Sequence, residues 1–165
     1  YQHLFSKYEF PGMRLYKTYQ MYRRDSLSEL IQDLQTIPNL NVKLVRGSYI
    51  YHDKHSGQLF STKMETDHNY HDALWYLCFA VQFRPDMKIM AATHNDLSIN
   101  LARKLFYKRN VCFAQLLGMN DRASEQLVSA GYDVYKYVQY GSIQETMPYL
   151  IRRLYENASM IRHML

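Results

Sequence analysis

The sequence predicts an α/β fold in which helices cover a parallel sheet. Two observations carry this prediction. Short β-branched or aromatic runs alternate with longer runs of helical period five times along 165 residues, and polar turns follow the short runs. Alternation of this kind is typical of strand–helix units and a parallel sheet. Five units would form a doubly wound sheet if they are complete, or five-eighths of a (β/α)8 barrel if they belong to a longer chain, and periodicity leaves this choice open.

The elements follow from local patterns. Residues 14–20 are apolar and aromatic with no helix cap before them, which predicts a strand. Ser26 and Glu29 have the spacing of a capping box at the start of a helix, and Pro38 ends that helix. Each later strand is a short apolar run closed by a glycine or a polar turn, and each later helix repeats apolar residues every three or four positions. The later strands are predicted at 42–49, 88–94, 111–117 and 134–138, and the later helices at 66–83, 95–108, 121–129 and 142–163.

The composition fits one globular domain and excludes other classes. Apolar residues make up 47% of the chain and charged residues 21%, as in ordinary folded domains. No stretch approaches the ~18 uninterrupted apolar residues of a membrane-spanning helix. The net charge of +5 is scattered, so it allows nucleic-acid binding without requiring it. Cys78 and Cys112 lie in apolar surroundings, which indicates small core residues in a reducing compartment.

The last predicted helix carries a candidate binding group. Steps of 100° per residue place Tyr149, Arg152, Arg153 and Glu156 on the face opposite the apolar residues. Glu156 stands four residues from one arginine and three from the other, so one carboxylate can orient both guanidiniums. One interpretation is a solvated helix face. The other is a clamp in which paired guanidiniums bind a carboxylate or a phosphate.

Lys43 is unusual because it stands in an otherwise apolar predicted strand. An ammonium buried there is costly unless it meets an anion or a polar cofactor, although a position near the strand end would let it reach solvent. His94 ends another strand, where a lone histidine is more often structural than a metal ligand. His68 and His71 stand three residues apart on a helix without a third ligand, so no metal site is predicted. Neither GxGxxG nor GxxxxGK[ST] occurs.

Five segments carry a family resemblance, at residues 43–49, 66–70, 93–95, 115–119 and 149–157. Together they resemble proline dehydrogenase, the flavin enzyme that oxidises L-proline to Δ1-pyrroline-5-carboxylate. The order and spacing of these segments match across nearly the whole chain. The resemblance implies a distorted (β/α)8 TIM-like barrel, of which residues 1–165 would be a partial domain holding the C-terminal five strand–helix units. It also implies FAD as cofactor, a membrane quinone as electron acceptor, and a place on the matrix side of the mitochondrial inner membrane. Residues 18–22 and 136–141 look closest to the mitochondrial enzymes of fungi and animals.

The resemblance also implies roles for single residues. Arg152 and Arg153 match the pair that grips the proline carboxylate, and Glu156 matches the acid that orders them. Lys43 stands where the family has Arg or Lys near the flavin N5, a catalytic position able to stabilise reduced flavin. The other matches are Tyr49, Leu117 and Tyr137 in the substrate pocket, and Arg46, Gly47, Ser48, Thr93 and His94 in turns that contact the cofactor.

Two departures from the family pattern are mild, and one flavin contact is left unassigned. Ser48 replaces a residue that is usually Ala, and Gln139 replaces one that is usually Pro. Some relatives bind flavin through a glutamine on the strand that corresponds to 14–20. Lys17 aligns nearest to that position and Gln20 is three residues away, so neither is assigned.

Two alternatives stand beside the enzyme. The interleaved Lys and Tyr of residues 132–140 could form a module that binds single-stranded nucleic acid. That segment alternates like a buried strand and no RNA-binding motif occurs, so nucleic acid is not expected as a partner. The chain could also be an inert piece of the enzyme, because five barrel strands leave two open edges. It opens in the middle of a pattern without a starting Met, so we expect three further strand–helix units upstream.

Overall fold

The computed structural model describes residues 14–47 and 58–156, with only the helix backbone described for the last five. Five strands and five helices alternate within these residues, as predicted, and most bounds lie within a few residues of the predicted ones. Ser48 and Tyr49, two of the predicted site residues, lie outside the described residues. The strands are β1 (Lys17–Gln20), β2 (Val42–Val45), β3 (Ile89–Ala92), β4 (Val111–Leu116) and β5 (Val134–Tyr137), and the helices are α1 (Ser26–Thr36), α2 (Lys63–Phe83), α3 (Asp96–Leu105), α4 (Asp121–Ser129) and α5 (Ile143–Glu156).

The strand order decides between the two architectures that periodicity left open. All neighbouring strands pair in parallel, and their order in the sheet, β1-β2-β3-β4-β5, follows the order along the chain. A doubly wound sheet needs a point where this order reverses, and the sheet formed by the described residues has none. Winding in one direction, with one helix after each strand, is the arrangement of a (β/α)8 barrel.

Helices cover one face of the sheet. Val42, Leu44, Ile89 and Phe113 are buried on this covered face and form the centre of the hydrophobic core. Because side chains alternate along a strand, their neighbours point to the opposite face, which would line the inside of a closed barrel. We call it the lumen face. It carries Thr18, Gln20, Lys43, Val45, Met90, Ala92, Cys112, Ala114, Leu116, Tyr135 and Tyr137.

The capping box predicted for α1 does not form. The Ser26 hydroxyl donates instead to the carbonyl of Arg23 at 2.8 Å. Glu29 pairs with the buried ammonium of Lys17 at 2.8 Å, and Asp33 pairs with the same ammonium. Burial acts to lower the pKa of Lys17, but the two carboxylates outweigh it and raise that pKa. The need to neutralise Lys17 therefore explains why Glu29 is not a capping residue.

A capping box is found instead at the start of α2. The Thr62 hydroxyl accepts from the N–H of Glu65 at 3.2 Å, and the Glu65 carboxylate accepts from the N–H of Thr62 at 2.9 Å. The helix consequently begins at Lys63, three residues before the predicted start. Neither α2 nor any other helix of the described residues is long and apolar enough to cross a membrane.

Candidate functional site

Arg46 ties three elements together at the carboxyl edge of the sheet. Its Nε donates to Asp67 of α2 and its Nη1 to the Thr93 hydroxyl after β3, both at 2.6 Å. Its Nη2 donates to the Ser98 hydroxyl of α3 at 2.9 Å. The guanidinium also lies over the ring of Tyr70, 4.6 Å from the centroid. The turn that follows β2 is therefore fixed to α2 and to the start of α3.

Charge and burial keep this network in one protonation state. Burial acts to raise the pKa of Asp67, but hydrogen bonds from Lys63 and Arg46 outweigh it and hold that pKa below its usual range. His71 Nε2 lies 2.8 Å from the Ser98 hydroxyl. Burial lowers the pKa of His71, and the positive charge of Arg46 lowers it further. A neutral His71 can accept the Ser98 proton, which leaves the Ser98 oxygen to accept from Arg46.

His94 lies two residues beyond β3 and was predicted to contact a cofactor. Its Nε2 accepts from the backbone N–H of Leu116 at 3.3 Å, so the neutral ring carries its proton on Nδ1. Burial lowers the pKa of His94 to about 4, and the positive charge of Lys136 acts in the same direction. The Nδ1 atom is buried without a hydrogen-bond partner.

Three buried polar atoms without partners mark the carboxyl edge. The described residues contain five such atoms, and three belong to Gln20, His94 and Gln139, at or two residues beyond the ends of β1, β3 and β5. Gln20 belongs to the lumen face, and strand alternation continues that face to the other two. Buried polar atoms in native proteins nearly always have partners. These side chains therefore suit a polar ligand that lies across the carboxyl ends of the strands.

Lys43 stands on the lumen face between Thr18 and Met90, its register partners on β1 and β3. The side chain is half-buried in the second position of β2 rather than at the strand end. Among the described residues it has no hydrogen-bond or ion-pair partner, so its charge is available to a ligand on this face.

The first turns of α5 approach β5 through two tyrosines. The ring centroids of Tyr137 and Tyr149 lie 5.9 Å apart at an interplanar angle of 51°. Tyr149 is half-buried, whereas Leu150 and Ile151 of the apolar face are each 45% exposed. The Tyr149 face of α5 therefore turns toward the sheet. If this polar face were solvated, Tyr149 would instead point away from the sheet and the apolar face would pack against it.

The predicted clamp residues share this helix face by position. Arg152, Arg153 and Glu156 follow Tyr149 by three, four and seven residues, within the described helix. This spacing brings backbone positions to one side of a helix. The side chains of these three residues lie outside the described part of the structure.

The apolar wall predicted at Leu117 has a stronger candidate next to it. Leu116 is the register partner of Tyr137, so both stand on the lumen face. Leu117 lies just beyond β4 with its side chain 61% exposed, and its N–H donates to the Tyr137 carbonyl at 3.1 Å. Phe113 and Gln115 are buried on the covered face, and this alternation within the sequence is the signal that would have pointed to Leu116.

The alternating Lys and Tyr of β5 do not form one surface. Lys136 points to the covered side, where it donates to Asp121 at 2.8 Å and to the carbonyl of Met119 at 3.2 Å. Tyr135 and Tyr137 stand on the lumen face. The feature that favoured a nucleic-acid module is therefore split between two faces. Within residues 14–47 and 58–151, whose side chains the structure describes, no three His, Cys, Asp or Glu side chains gather as metal ligands would.

Comparisons with known proteins find similarity along most of the chain. A sequence model of a family described as proline dehydrogenase matches residues 1–164. Hydroxyproline dehydrogenase from Bos taurus is 36% identical over 92% of this chain and 37% of its own length. Mitochondrial proline dehydrogenase 1 from Dictyostelium discoideum is 35% identical over 89% of this chain and 29% of its own length.

A solved structure matches the fold. Proline utilization A from Bdellovibrio bacteriovorus, inactivated by N-propargylglycine, superposes with a TM-score of 0.79 and 26% identity over 94% of this chain and 18% of that chain. This likeness, together with the strand order, confirms the predicted barrel-type fold. The chain spans less than two-fifths of the length of each of these relatives.

Proposed function

The chain belongs to the proline dehydrogenase family, and on that premise we propose that it is part of an enzyme that oxidises L-proline to Δ1-pyrroline-5-carboxylate with FAD. It would supply the C-terminal five strand–helix units of the catalytic barrel. The observation that carries the proposal is the set of three unpartnered buried polar atoms at the carboxyl ends of β1, β3 and β5. Ligands of parallel α/β barrels bind at this edge.

The residues of the carboxyl edge fit FAD. Arg46, Gly47, Ser48, Thr93 and His94 would hold it, as the family resemblance implies. Gln20 joins them because its buried Oε1 has no partner and stands on the lumen face. When bound, FAD would supply the oxidising power for the loss of a hydride from the ring carbon beside the nitrogen and of a proton from the nitrogen.

Lys43 would act beside the cofactor. Its half-buried side chain stands on the lumen face with no partner among the described residues. A fixed positive charge there favours the negative charge that reduction adds to a flavin. Replacement of Lys43 by Met should therefore slow flavin reduction more than it weakens substrate binding.

The substrate would bind between α5 and the lumen face. Arg152 and Arg153 would grip the proline carboxylate through charge-assisted hydrogen bonds, and Glu156 would order them. The contact between Tyr137 and Tyr149 supports this role because positions 152 and 153 follow Tyr149 by three and four residues along α5, which places their backbone on the same side of the helix. Tyr49, Tyr137 and an apolar wall would enclose the ring, and Leu116 or Leu117 would supply that wall.

The wider assignments follow from the relatives. Mitochondrial proline dehydrogenase of Dictyostelium discoideum supports a mitochondrial location. We propose the matrix side of the inner membrane, with a membrane quinone as electron acceptor. Hydroxyproline is the second candidate substrate, because hydroxyproline dehydrogenase of Bos taurus is 36% identical to this chain.

Kinetics on the full-length natural protein tests the proposal. Arg152→Met and Arg153→Met should each raise KM for proline roughly ten- to hundredfold, because each lost charge-assisted hydrogen bond is worth ~1.5–3 kcal/mol. Glu156→Gln should cause a smaller rise. Flavin content should stay near wild type in all three. Arg122→Met, an exposed arginine on α4, is the matched control and should leave KM unchanged.

Three results separate the possible failures. An unchanged KM for proline in both arginine variants would rule out the hypothesis that Arg152 and Arg153 bind the proline carboxylate. A folded full-length protein that carries no flavin and takes none up would end the enzyme assignment. A kcat/KM for hydroxyproline above that for proline would move the substrate to the second candidate and leave the chemistry as proposed.

A further inference from the structure

The amide oxygen of Gln139 is a buried acceptor that receives no hydrogen bond from the described residues. The residue lies in the turn between β5 and α5, two positions beyond Tyr137. Its side chain is half-buried, and the oxygen itself is shielded from solvent. A buried carbonyl oxygen without a donor is costly, and native proteins nearly always supply one. A ligand that carries an N–H or O–H group would satisfy this oxygen.

The turn that carries Gln139 is held on both sides. Before it, the Tyr137 carbonyl accepts from the N–H of Leu117 at 3.1 Å. After it, the Glu145 carboxylate accepts from the N–H of Ser142 at 3.2 Å and from the Ser142 hydroxyl at 2.9 Å. The backbone of Gln139 is therefore anchored at both ends of the turn, which limits the directions that its amide can take.

Gln139 is also set apart from the other two unpartnered groups of the carboxyl edge. His94 follows β3 and Gln20 ends β1, which are two and four strands away from β5 in the sheet, at about 4.8 Å per strand. Gln139 instead follows Tyr137, whose ring contacts Tyr149 of α5. It therefore stands at the part of the edge where we place the substrate, whereas Gln20 and His94 stand where we place the cofactor.

We propose that the Gln139 oxygen accepts a hydrogen bond from the ring nitrogen of the substrate. This nitrogen is the one donor that L-proline offers besides its carboxyl group, and it carries an N–H in both its neutral and its protonated form. The ionised carboxylate can only accept, so it cannot satisfy an amide oxygen. The inference rests on the proposed function, because it requires the substrate to lie between α5 and the lumen face.

The contact assists the oxidation as well as the binding. As the neighbouring ring carbon loses a hydride, positive charge develops on the nitrogen. An oxygen dipole directed at that nitrogen favours the transition state more than the ground state. Gln139 stands where the family pattern usually has Pro, which has no side-chain acceptor, so the contact is a feature of this chain.

Gln139→Met in the full-length protein tests the contact, because Met has a similar size and no strong acceptor. The Kd for L-proline, measured by calorimetry on the reduced protein so that no oxidation occurs, should rise about tenfold. The kcat/KM for proline oxidation should fall at least as much, and flavin content should not change. Gln126→Met, at an exposed position on α4, is the matched control and should alter none of these values. Gln139→Pro makes the same test if the Met variant does not fold.

Two analogues isolate the ring nitrogen. Cyclopentanecarboxylate replaces it by a CH2 group, and tetrahydrofuran-2-carboxylate replaces it by an ether oxygen that only accepts. Gln139→Met should leave the inhibition constant of the first unchanged. It should lower that of the second several-fold, because two acceptor oxygens that face each other repel.

Gln139→Glu tests which end of the amide faces the substrate. A carboxylate also accepts from the ring nitrogen, and charge-assisted hydrogen bonds are at least as strong, so the Kd for proline should stay within about threefold of wild type or fall. If the amide nitrogen faced the proline carboxylate instead, the added negative charge would raise that Kd about tenfold or more. Such a rise in a folded protein would overturn the proposal.

Other results would also overturn it. One is a folded Gln139→Met protein that binds proline like wild type. Another is an equal loss of affinity for proline and for cyclopentanecarboxylate, because Gln139 would then only shape the pocket. A third is loss of flavin without a change in proline binding, which would assign the oxygen to the cofactor. A wild-type protein that binds proline without oxidising it would contradict the proposed function, whereas a higher Kd in Gln139→Met would still support the contact.

Discussion

The ring of Tyr22 occupies the space that a side chain on Gly47 would need. A Cβ atom on Gly47 would lie 1.4 Å from Cδ1 and 1.6 Å from Cε1 of that ring. Tyr22 is buried, and its N–H donates to the carbonyl of Arg46 at 2.8 Å, so the ring cannot swing away without loss of packing. Gly47 also has φ of +127°, which side chains rarely adopt. Two independent constraints therefore require glycine at the turn after β2.

Gly47→Ala should consequently destabilise the full-length protein by about 3 kcal/mol or more, because overpacking and backbone strain add. Flavin content should fall with it, since the same turn carries Arg46. Denaturant unfolding and the flavin absorbance of the purified protein measure the two effects.

Gly118→Ala is the matched control. Gly118 has φ of +75° but no atom within 4 Å of the added Cβ. Only the left-handed strain of roughly 1–2 kcal/mol applies there. A Gly47→Ala protein no less stable than Gly118→Ala would contradict the role assigned to Tyr22.

The hydroxyl of Ser98 should matter more than its size suggests. Ser98 is fully buried, accepts from Arg46 and contacts His71. Ser98→Ala should cost about 1–3 kcal/mol, because a charged donor loses its buried acceptor. It should also lower flavin occupancy by loosening Arg46. Ser129→Ala, at an exposed position on α4, should change neither stability nor flavin content, and similar losses in the two variants would argue against the network.

The pKa of His94 predicts a stability loss in acid. The folded protein holds the ring neutral down to about pH 4, whereas the unfolded chain binds a proton near 6.5. The contribution is therefore fully present above pH 6.5 and lost as the pH falls toward 4. The total is on the order of 3 kcal/mol, at 1.36 kcal/mol for each unit of pKa difference.

Unfolding free energies of wild type and His94→Gln at a series of pH values measure this term. The difference between the two proteins should shrink as the pH falls from 6.5 to 4 and stay constant above 7. A difference independent of pH would mean that His94 is not held neutral by burial.

Sequence periodicity predicted the elements better than their capping. The bounds of α4, Asp121–Ser129, were predicted to the residue, and the side chain of Asn120 caps this helix by accepting from the N–H of Ala123. The capping box expected at Ser26 failed because Glu29 is drawn to Lys17. Such a contact joins residues twelve positions apart on different elements, and local propensity does not register it.

The sequence predicted where the candidate site lies better than it predicted which residues contact each other there. Strand ends and family motifs indicated Arg46, Thr93 and His94, and the structure brings Arg46 and Thr93 into direct contact. The partner Ser98 was missed because it stands 52 residues from Arg46 and lacks a motif of its own. Gln20 was left unassigned because Lys17, three residues earlier, aligns nearest to the glutamine that binds flavin in some relatives.

Two adjacent leucines test whether proline binds against the lumen face. Leu116 stands in register with Tyr137, whereas Leu117 is 61% exposed beyond the end of β4. If proline binds against the lumen face, Leu116→Ala should raise KM for proline about tenfold, since lost apolar contact in a pocket is worth ~1–3 kcal/mol. Leu117→Ala removes the same atoms from an exposed position and should stay within ~0.5 kcal/mol of wild type. Steady-state kinetics on both variants, with unfolding curves to show that each is folded, decides between them. A larger increase in KM for Leu117→Ala would assign the apolar wall to Leu117. The substrate would then lie above the strand ends rather than against the lumen face.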